Sequence, residues 1–240
     1  MATIHIGTSG YNYSHWRGVF YPENLPQKEW LRFYADRFHT VEINNSFYQL
    51  PAKSTFQRWR DGTPNGFIFS IKASRYITHM RKLKDPEEPV FSFLGNAEAL
   101  SQKLGPILFQ LPPRWHCNMD RLMEFARILP NEHRFTLEFR DDSWWNSQVY
   151  SVLAEHNIAF CIFDISRRQS PIEMTADFVY VRLHGPEGAY QGQYDTETLA
   201  GWAEVFSTWK QQGRDVFCYF DNDQLGFAVR DALRLREMLS

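Results

Sequence analysis

Apolar residues along this chain gather into eight short runs, and each run ends in a polar or charged cluster. The runs are Thr3–Thr8, Val41–Asn44, Phe67–Lys72, Ile107–Gln110, Phe135–Arg140, Ala159–Asp164, Phe178–His184 and Val216–Asp221. Their interiors, such as Phe-Cys-Ile-Phe and Val-Phe-Cys-Tyr-Phe, lack the alternation of a sheet with one wet face. Burial on both faces gives that pattern: one face packs helices and the other fills a barrel.

The gaps supply the helices. Lys28–Phe38 sets Trp30, Leu31, Phe33, Tyr34 and Phe38 largely on one face. Ser54–Arg60 closes at Gly62, and Val90–Leu104 holds one helix, or two broken near Gly95. Met119–Leu129 follows Asn118 as N-cap and stops at Pro130. Ser147–His156 comes next. Thr196–Gln212 follows Asp195 as cap and ends at Gly213, and Leu225–Leu239 closes the chain. Only Ile165–Asp177, with Pro171 and little helical periodicity, predicts a missing or degenerate helix. Eight strands separated by helices, with that one connection degenerate, predict a single (β/α)₈ TIM-like barrel over residues 1–240.

In such a barrel the active site lies where the strands end. Side chains alternate across a strand, so residues two apart share a face. Glu42 with Asn44, Ser70 with Lys72, Glu138 with Arg140, and Arg182 with His184 are such pairs. Charges turned toward the helix layer would be costly without partners, so this parity is expected to face the barrel mouth. Lys72, Arg140 and Arg182 are the expected anion binders, since guanidinium forks suit carboxylate and phosphate. Glu138 and His184 are the expected acid/base pair, with Glu42 and Asp164 as further catalytic carboxylates. Asn44, Gln110, His79 and Asn222 complete the polar contacts. The competing arrangement is an ion-pair network that satisfies itself, since three carboxylates balance three cations. The interleaved cations argue against a divalent metal, and neither metal nor other cofactor is expected.

Aromatic residues make up 16% of the chain and crowd the loops after the strands. Tyr11, Trp16, Tyr48 and Trp144 are expected to stack a flat ring beside the cations. Gly7-Thr8-Ser9-Gly10 lacks the spacing of either common phosphate fingerprint and reads as a tight turn. No Gly-x-Ser-x-Gly elbow and no Cys–His signature points to acyl chemistry. The net charge of −2 gives no bulk attraction to nucleic acid or anionic membrane. Three cysteines without metal-like spacing fit a reduced, cytoplasmic protein. With the first strand expected from Thr3, no leader is expected, and no apolar run approaches a membrane span.

The motifs Ile6-Gly7-Thr8-Ser9-Gly10-Tyr11, Trp16-Arg17-Gly18-Val19-Phe20-Tyr21-Pro22 and Val41-Glu42-Ile43-Asn44-Asn45-Ser46-Phe47-Tyr48 have a further meaning. So do Thr78-His79, Leu108-Phe109-Gln110-Leu111-Pro112-Pro113, Leu137-Glu138-Phe139-Arg140 with Trp144, Tyr180-Val181-Arg182-Leu183-His184-Gly185 and Tyr219-Phe220-Asp221-Asn222-Asp223. In these the chain resembles the DUF72 (domain of unknown function 72) or YecE-like family, nearly end to end. It departs from the family at Asp221, where relatives often have Asn. The resemblance implies a TIM-like barrel and supplies no activity. The family's likeness to endonuclease IV is at the level of fold, and the metal set of that enzyme is missing here. Two functions are therefore carried forward. One is an enzyme acting on a small phosphate-bearing, carboxylate-bearing or ring-bearing ligand by metal-independent acid/base chemistry. The other is a nucleic-acid or nucleotide binder in which Trp16, Tyr48, Trp144 and Tyr190 stack bases.

Overall fold

A computed structural model describes all 240 residues. The strands are β1 (Ile4–Thr8), β2 (Thr40–Ile43), β3 (Ile68–Lys72), β4 (Leu104–Gln110), β5 (Phe135–Glu138), β6 (Ala159–Ile165), β7 (Arg168–Gln169), β8 (Phe178–Leu183) and β9 (Asp215–Phe220). All but β7 run parallel, in the spatial order β1-β9-β8-β6-β5-β4-β3-β2. The helices are α1 (Trp30–Ala35), α2 (Lys53–Asp61), α3 (Glu87–Ala97), α4 (Met119–Ile128), α5 (Ser147–Glu155), α6 (Thr196–Gln211) and α7 (Phe227–Met238). The expected (β/α)₈ barrel is present, and the expected gap is too. Between β6 and β8 the chain makes only β7, which folds back antiparallel on the end of β6.

The barrel closes between β1 and β2 by an unusual seam. One bridged pair, Ser9 with Glu42, joins them, and the Gly10 N–H donates to the Glu42 carbonyl at 2.8 Å. Lower down, the Tyr34 hydroxyl from α1 stands in for the ladder. It accepts from the Thr8 N–H at 3.0 Å and donates to the Thr40 carbonyl at 3.1 Å. A Cβ at Gly7 would lie 2.4 Å from that same Thr40 oxygen. Glycine is what lets the strands approach closely enough for one hydroxyl to bond both.

The pleat sorts the strand residues into two cores. Val41, Ile43, Phe69, Ile71, Phe109, Phe160 and Ile162 face outward into one continuous helix-facing core. Leu108, Cys161, Phe178, Tyr180, Phe217 and Tyr219 form a smaller core inside the barrel. The Tyr219 hydroxyl bonds the Thr40 and Ser70 hydroxyls there, each at 2.7 Å, so this inner layer is already polar below the mouth.

Local signals explain the starts of α4 and α6. The Asn118 and Asp195 side chains accept the backbone N–H of Arg121 and Thr198, as N-caps do. The break expected near Gly95 lies elsewhere. α3 runs through Gly95, where an added Cβ would meet nothing within 4 Å. The turn instead reverses at Ser101, held at φ 55°, and β4 starts at once from Leu104. No helix is long and apolar enough to cross a membrane.

Candidate active site at the barrel mouth

Arg182 is the centre of the mouth. It projects inward from β8, two residues above Tyr180, and is 1% exposed. Its Nε and Nη2 grip Glu42 of β2 at 3.0 and 2.7 Å. Its Nη1 donates to Glu138 of β5 at 2.8 Å, and Nη2 also reaches Asp221 after β9 at 3.0 Å. A guanidinium has five N–H donors in a fixed fork, and each nitrogen here already points at a carboxylate. The anion-binding role expected for Arg182 therefore meets a cation whose donors the protein itself occupies.

The surrounding groups complete the same network. Glu42 also accepts from the Ser9 hydroxyl at 2.6 Å and the Tyr180 hydroxyl at 2.7 Å. Glu138 accepts from Arg140 Nε as well as from Arg182. Burial pushes the Glu138 carboxyl up, but the Arg140 and Arg182 guanidiniums outweigh it and hold the carboxyl well below the usual range. The Asp221 carboxyl is also lowered; burial opposes this, and Arg182 and His184 prevail.

His184 lies wholly buried at the end of β8. Its Nε2 faces Arg140 Nη2 at 2.8 Å and Arg182 Nη1 at 3.3 Å, so it accepts. Its Nδ1 then carries the proton and donates to Asp221 at 3.0 Å. Both ring nitrogens are engaged, and neither is left for a substrate. The expected Glu138–His184 pair is thus in contact with the network, 3.7 Å apart, but faces inward.

Lys72 is different. It ends β3 on the same inward parity, yet the carboxylates around it turn to Arg182, Arg140 and His184. Its Nζ has no ion-pair partner and sits over the Phe47 ring, 4.3 Å from the centroid. Burial first, and then the Arg182 guanidinium, bring its pKa down to about 8 against the pull of Glu138. His79, in a π-helical turn over Tyr76–Met80, packs edge-on against Phe47 at 5.0 Å. Burial and then the charge of Lys72 push its pKa down to about 4. Its Nδ1 is paired with the Thr78 hydroxyl at 2.9 Å.

Arg140 keeps an outer edge. Its Nε and one Nη2 proton are used by Glu138 and His184, its ring-facing side lies 4.8 Å over Phe163, and 11% of the side chain is exposed. Gln110 pairs in register with Glu138 on the neighbouring strand, partly exposed at the rim. A half-open cleft of about 180 Å³ opens between the loops after β1 and β2. Tyr11, Tyr13, Trp59, Asn44 and Asn45 line it, and the Asn44 Oδ1 is buried there with no hydrogen bond.

Four expected site residues are placed elsewhere. Asp164 pairs with Leu183 while Phe163 pairs with Arg182, so Asp164 lies on the outward parity. It accepts from the Tyr194 hydroxyl at 2.8 Å. Asn222 also lies one residue off the inward parity, fully buried, tying the Gly192 carbonyl and Asp231. Trp16 and Trp144 are 0% exposed and cannot stack a ligand. Their indole N–H groups are spent on Asp223 at 2.7 Å and the Trp115 carbonyl at 2.6 Å. Tyr48 is exposed at the rim and packs edge-on against Phe47. The participants that the strand-end reading left out are Ser9 and Tyr180, which share the inward parity, the available signal; Asp221, singled out above as the departure from the family, joins the network on the same parity.

The DUF72 family model, described as a protein of unknown function, matches residues 5–240. The UPF0759 protein YunF of Bacillus subtilis is 26% identical over an alignment of 269 residues that covers 98% of this chain and 94% of YunF. The UPF0759 protein YecE of Escherichia coli K12 is 32% identical over 130 residues, 48% of this chain and 47% of YecE. Among solved structures, a DUF72 family protein of Thermotoga maritima superposes with a TM-score of 0.88 at 28% identity, covering 99% of both chains. One from Enterococcus faecalis, at 20% identity and a TM-score of 0.83, shares the fold. With the family model spanning nearly every residue and the same barrel found in its solved members, the chain belongs to the DUF72 family.

Proposed function

We propose that the barrel mouth binds a small oxyanionic molecule, phosphate- or carboxylate-bearing, and acts on it by metal-independent acid/base chemistry at Lys72. One observation carries this reading: Lys72 is a largely buried ammonium in the mouth that makes no ion pair, the nearby carboxylates being bonded to Arg182, Arg140 and His184. A buried cation without a counter-charge is costly unless something else supplies one. A ligand oxyanion does so, and the outer edge of Arg140 offers it a second contact. The reading moves the proton-transfer role from Glu138 and His184, both engaged, to an amine that titrates close to neutrality. The carboxylates that a divalent ion would need are each engaged by a guanidinium.

The nucleotide-stacking alternative loses support, because Trp16 and Trp144 are buried inside their loops. Calorimetry with phosphate, sulfate and small dicarboxylates tests the proposal. The expected result is saturable binding that Lys72→Met weakens by tenfold or more, on the scale of one lost charged hydrogen bond of about 1.5–3 kcal/mol. Absence of oxyanion binding in the wild type, or binding unchanged in both Lys72→Met and Arg140→Met, rules it out.

A further inference from the structure

We propose that Lys72 is a covalent amine: it condenses with the carbonyl carbon of a small oxo acid to form a Schiff base. This rests on the reading of the mouth as an oxyanion site, and adds the reactive group of the ligand and the bond it makes.

The chain has seven lysines. Lys28, Lys53, Lys82, Lys84 and Lys210 are exposed, and solvent keeps such ammonium groups charged. Lys103 is tied to the carbonyls of Arg60 and Thr63 at 2.5 and 2.6 Å, a fully used cation. Lys72 alone faces the barrel interior. No carboxylate is within ion-pair reach of it, an aromatic face lies beneath its Nζ, and burial and the Arg182 guanidinium together outweigh the more distant pull of Glu138, Glu42 and Asp221. These are the conditions that leave an amine its lone pair: desolvation and a neighbouring cation both disfavour the ammonium. The protein also spends its mouth carboxylates on guanidiniums. A Lys–carboxylate pair would hold the ammonium charged, and this arrangement prevents one.

The carbonyl substrate needs a second handle. Arg140 supplies it, presenting the part of its guanidinium not used by Glu138 and His184. The carboxylate of an oxo acid fits such an edge. Neutral Nζ adds to the carbonyl carbon, and the carbonyl oxygen becomes a hydroxyl by taking a proton. That hydroxyl takes a second proton and leaves as water, while nitrogen loses its protons and forms the C=N bond. One water is released per imine, with no change of oxidation state. His79, kept neutral beside Phe47, is placed on the Lys72 side of the mouth to relay these protons.

The test uses the intact protein with pyruvate or glyoxylate and sodium cyanoborohydride, which reduces an imine to a stable secondary amine. Peptide mapping then reads each lysine. Labelling of Lys72 about tenfold or more faster than any exposed lysine is expected, as for an activated amine. Lys72→Arg should lose that label alone, and acetaldehyde, lacking the carboxylate, should lose most of the preference. Should Lys72→Arg fail to fold, the wild-type map decides by itself. Equal labelling of Lys72 and the exposed lysines overturns the proposal. An unlabelled Lys72 in a protein that still binds phosphate overturns it too, and leaves the oxyanion site standing. An unlabelled Lys72 without oxyanion binding removes both.

Discussion

Arg182 enters the mouth from β8 with every nitrogen bonded to a carboxylate, whereas Lys72 enters from β3 with none. Both are single positive charges on inward strand positions near the same three carboxylates. Their chemistry differs because of geometry. A guanidinium is a planar fork that serves several acceptors at once, and it cannot give up its proton inside a protein. It can therefore tie its own strand to three others through their carboxylates and stay charged. An ammonium is a point charge with a movable pKa. Placed beside the fork it is outcompeted for carboxylates and driven toward its neutral form. The fixed cation organises the mouth, and the movable one is left for chemistry.

The largest test of that contrast is Arg182→Met. It leaves Glu42, Glu138 and Asp221 buried together without their shared counter-charge. Removing one partner from such a buried network costs roughly 3–5 kcal/mol. Urea unfolding should place the loss in that range, or the variant should not fold. A loss under about 1 kcal/mol would fall in the range of exposed ion pairs and break the comparison.

Lys72→Met should move the other way. Burial of an unpaired ammonium opposes folding, so a methionine of similar shape should leave stability equal or higher by about 1–3 kcal/mol at neutral pH, a shift of one pKa unit being about 1.4 kcal/mol. The pH dependence fixes the sign. Lys72 has a folded pKa of about 8 against an ordinary value of 10.5. Between those values the unfolded chain holds more protons than the native one, so stability from this group rises with pH. Below about pH 8 both states hold the proton, and the group's penalty is at its full value. Unfolding followed from pH 7.5 to 10.5 should show that rise in the wild type, and its absence in Lys72→Met. A wild-type curve parallel to that of the variant would mean that Lys72 is already paired or solvated.

How much of this was legible in the chain follows from the strand period. Glu42, Lys72, Glu138, Arg140, Arg182 and His184 share the inward face because side chains alternate, and that needs no tertiary information. Which of the cations is occupied was not legible. Arg182 meets Glu42 and Glu138 across 140 and 44 residues of sequence, and only the closed barrel sets those distances. The seam was equally hidden. Tyr34 read as one more apolar residue on a helix face, while its hydroxyl bonds two strands. The loop aromatics misled for a different reason. Trp16 and Trp144 follow strands as a stacking platform would, but each has a carboxylate or carbonyl waiting for its indole N–H, and this anchors the ring inside its own loop. Asp164 and Asn222 each lie one position off the inward parity. Charge and proximity to a strand end brought them into the candidate set, and the period of two removes them.

Asp164 gives the smallest effect and the finest test. It is the next-to-last residue of β6, beside Phe163, which faces the mouth under Arg140. A single-residue slip in register would turn Asp164 inward and add a fourth carboxylate to the network. As placed, it accepts one hydrogen bond from Tyr194, whose hydroxyl also accepts the Gly185 N–H at 3.0 Å. Asparagine accepts the Tyr194 hydroxyl equally well, so Asp164→Asn should change stability by no more than about 0.5 kcal/mol at neutral pH, as surface substitutions do. A small pH signature should disappear with it. Burial raises the Asp164 carboxyl, with the Tyr194 hydroxyl opposing. The native state therefore holds this proton more tightly than the unfolded chain, and stability from the group declines as pH rises from about 4 through its folded value. The variant should lack that decline and keep the wild-type affinity for phosphate. An inward Asp164 would instead lie among the guanidiniums, and its removal would cost several kcal/mol and alter oxyanion binding. Chemical unfolding at pH 4 and pH 7 together with one phosphate titration separates the two registers.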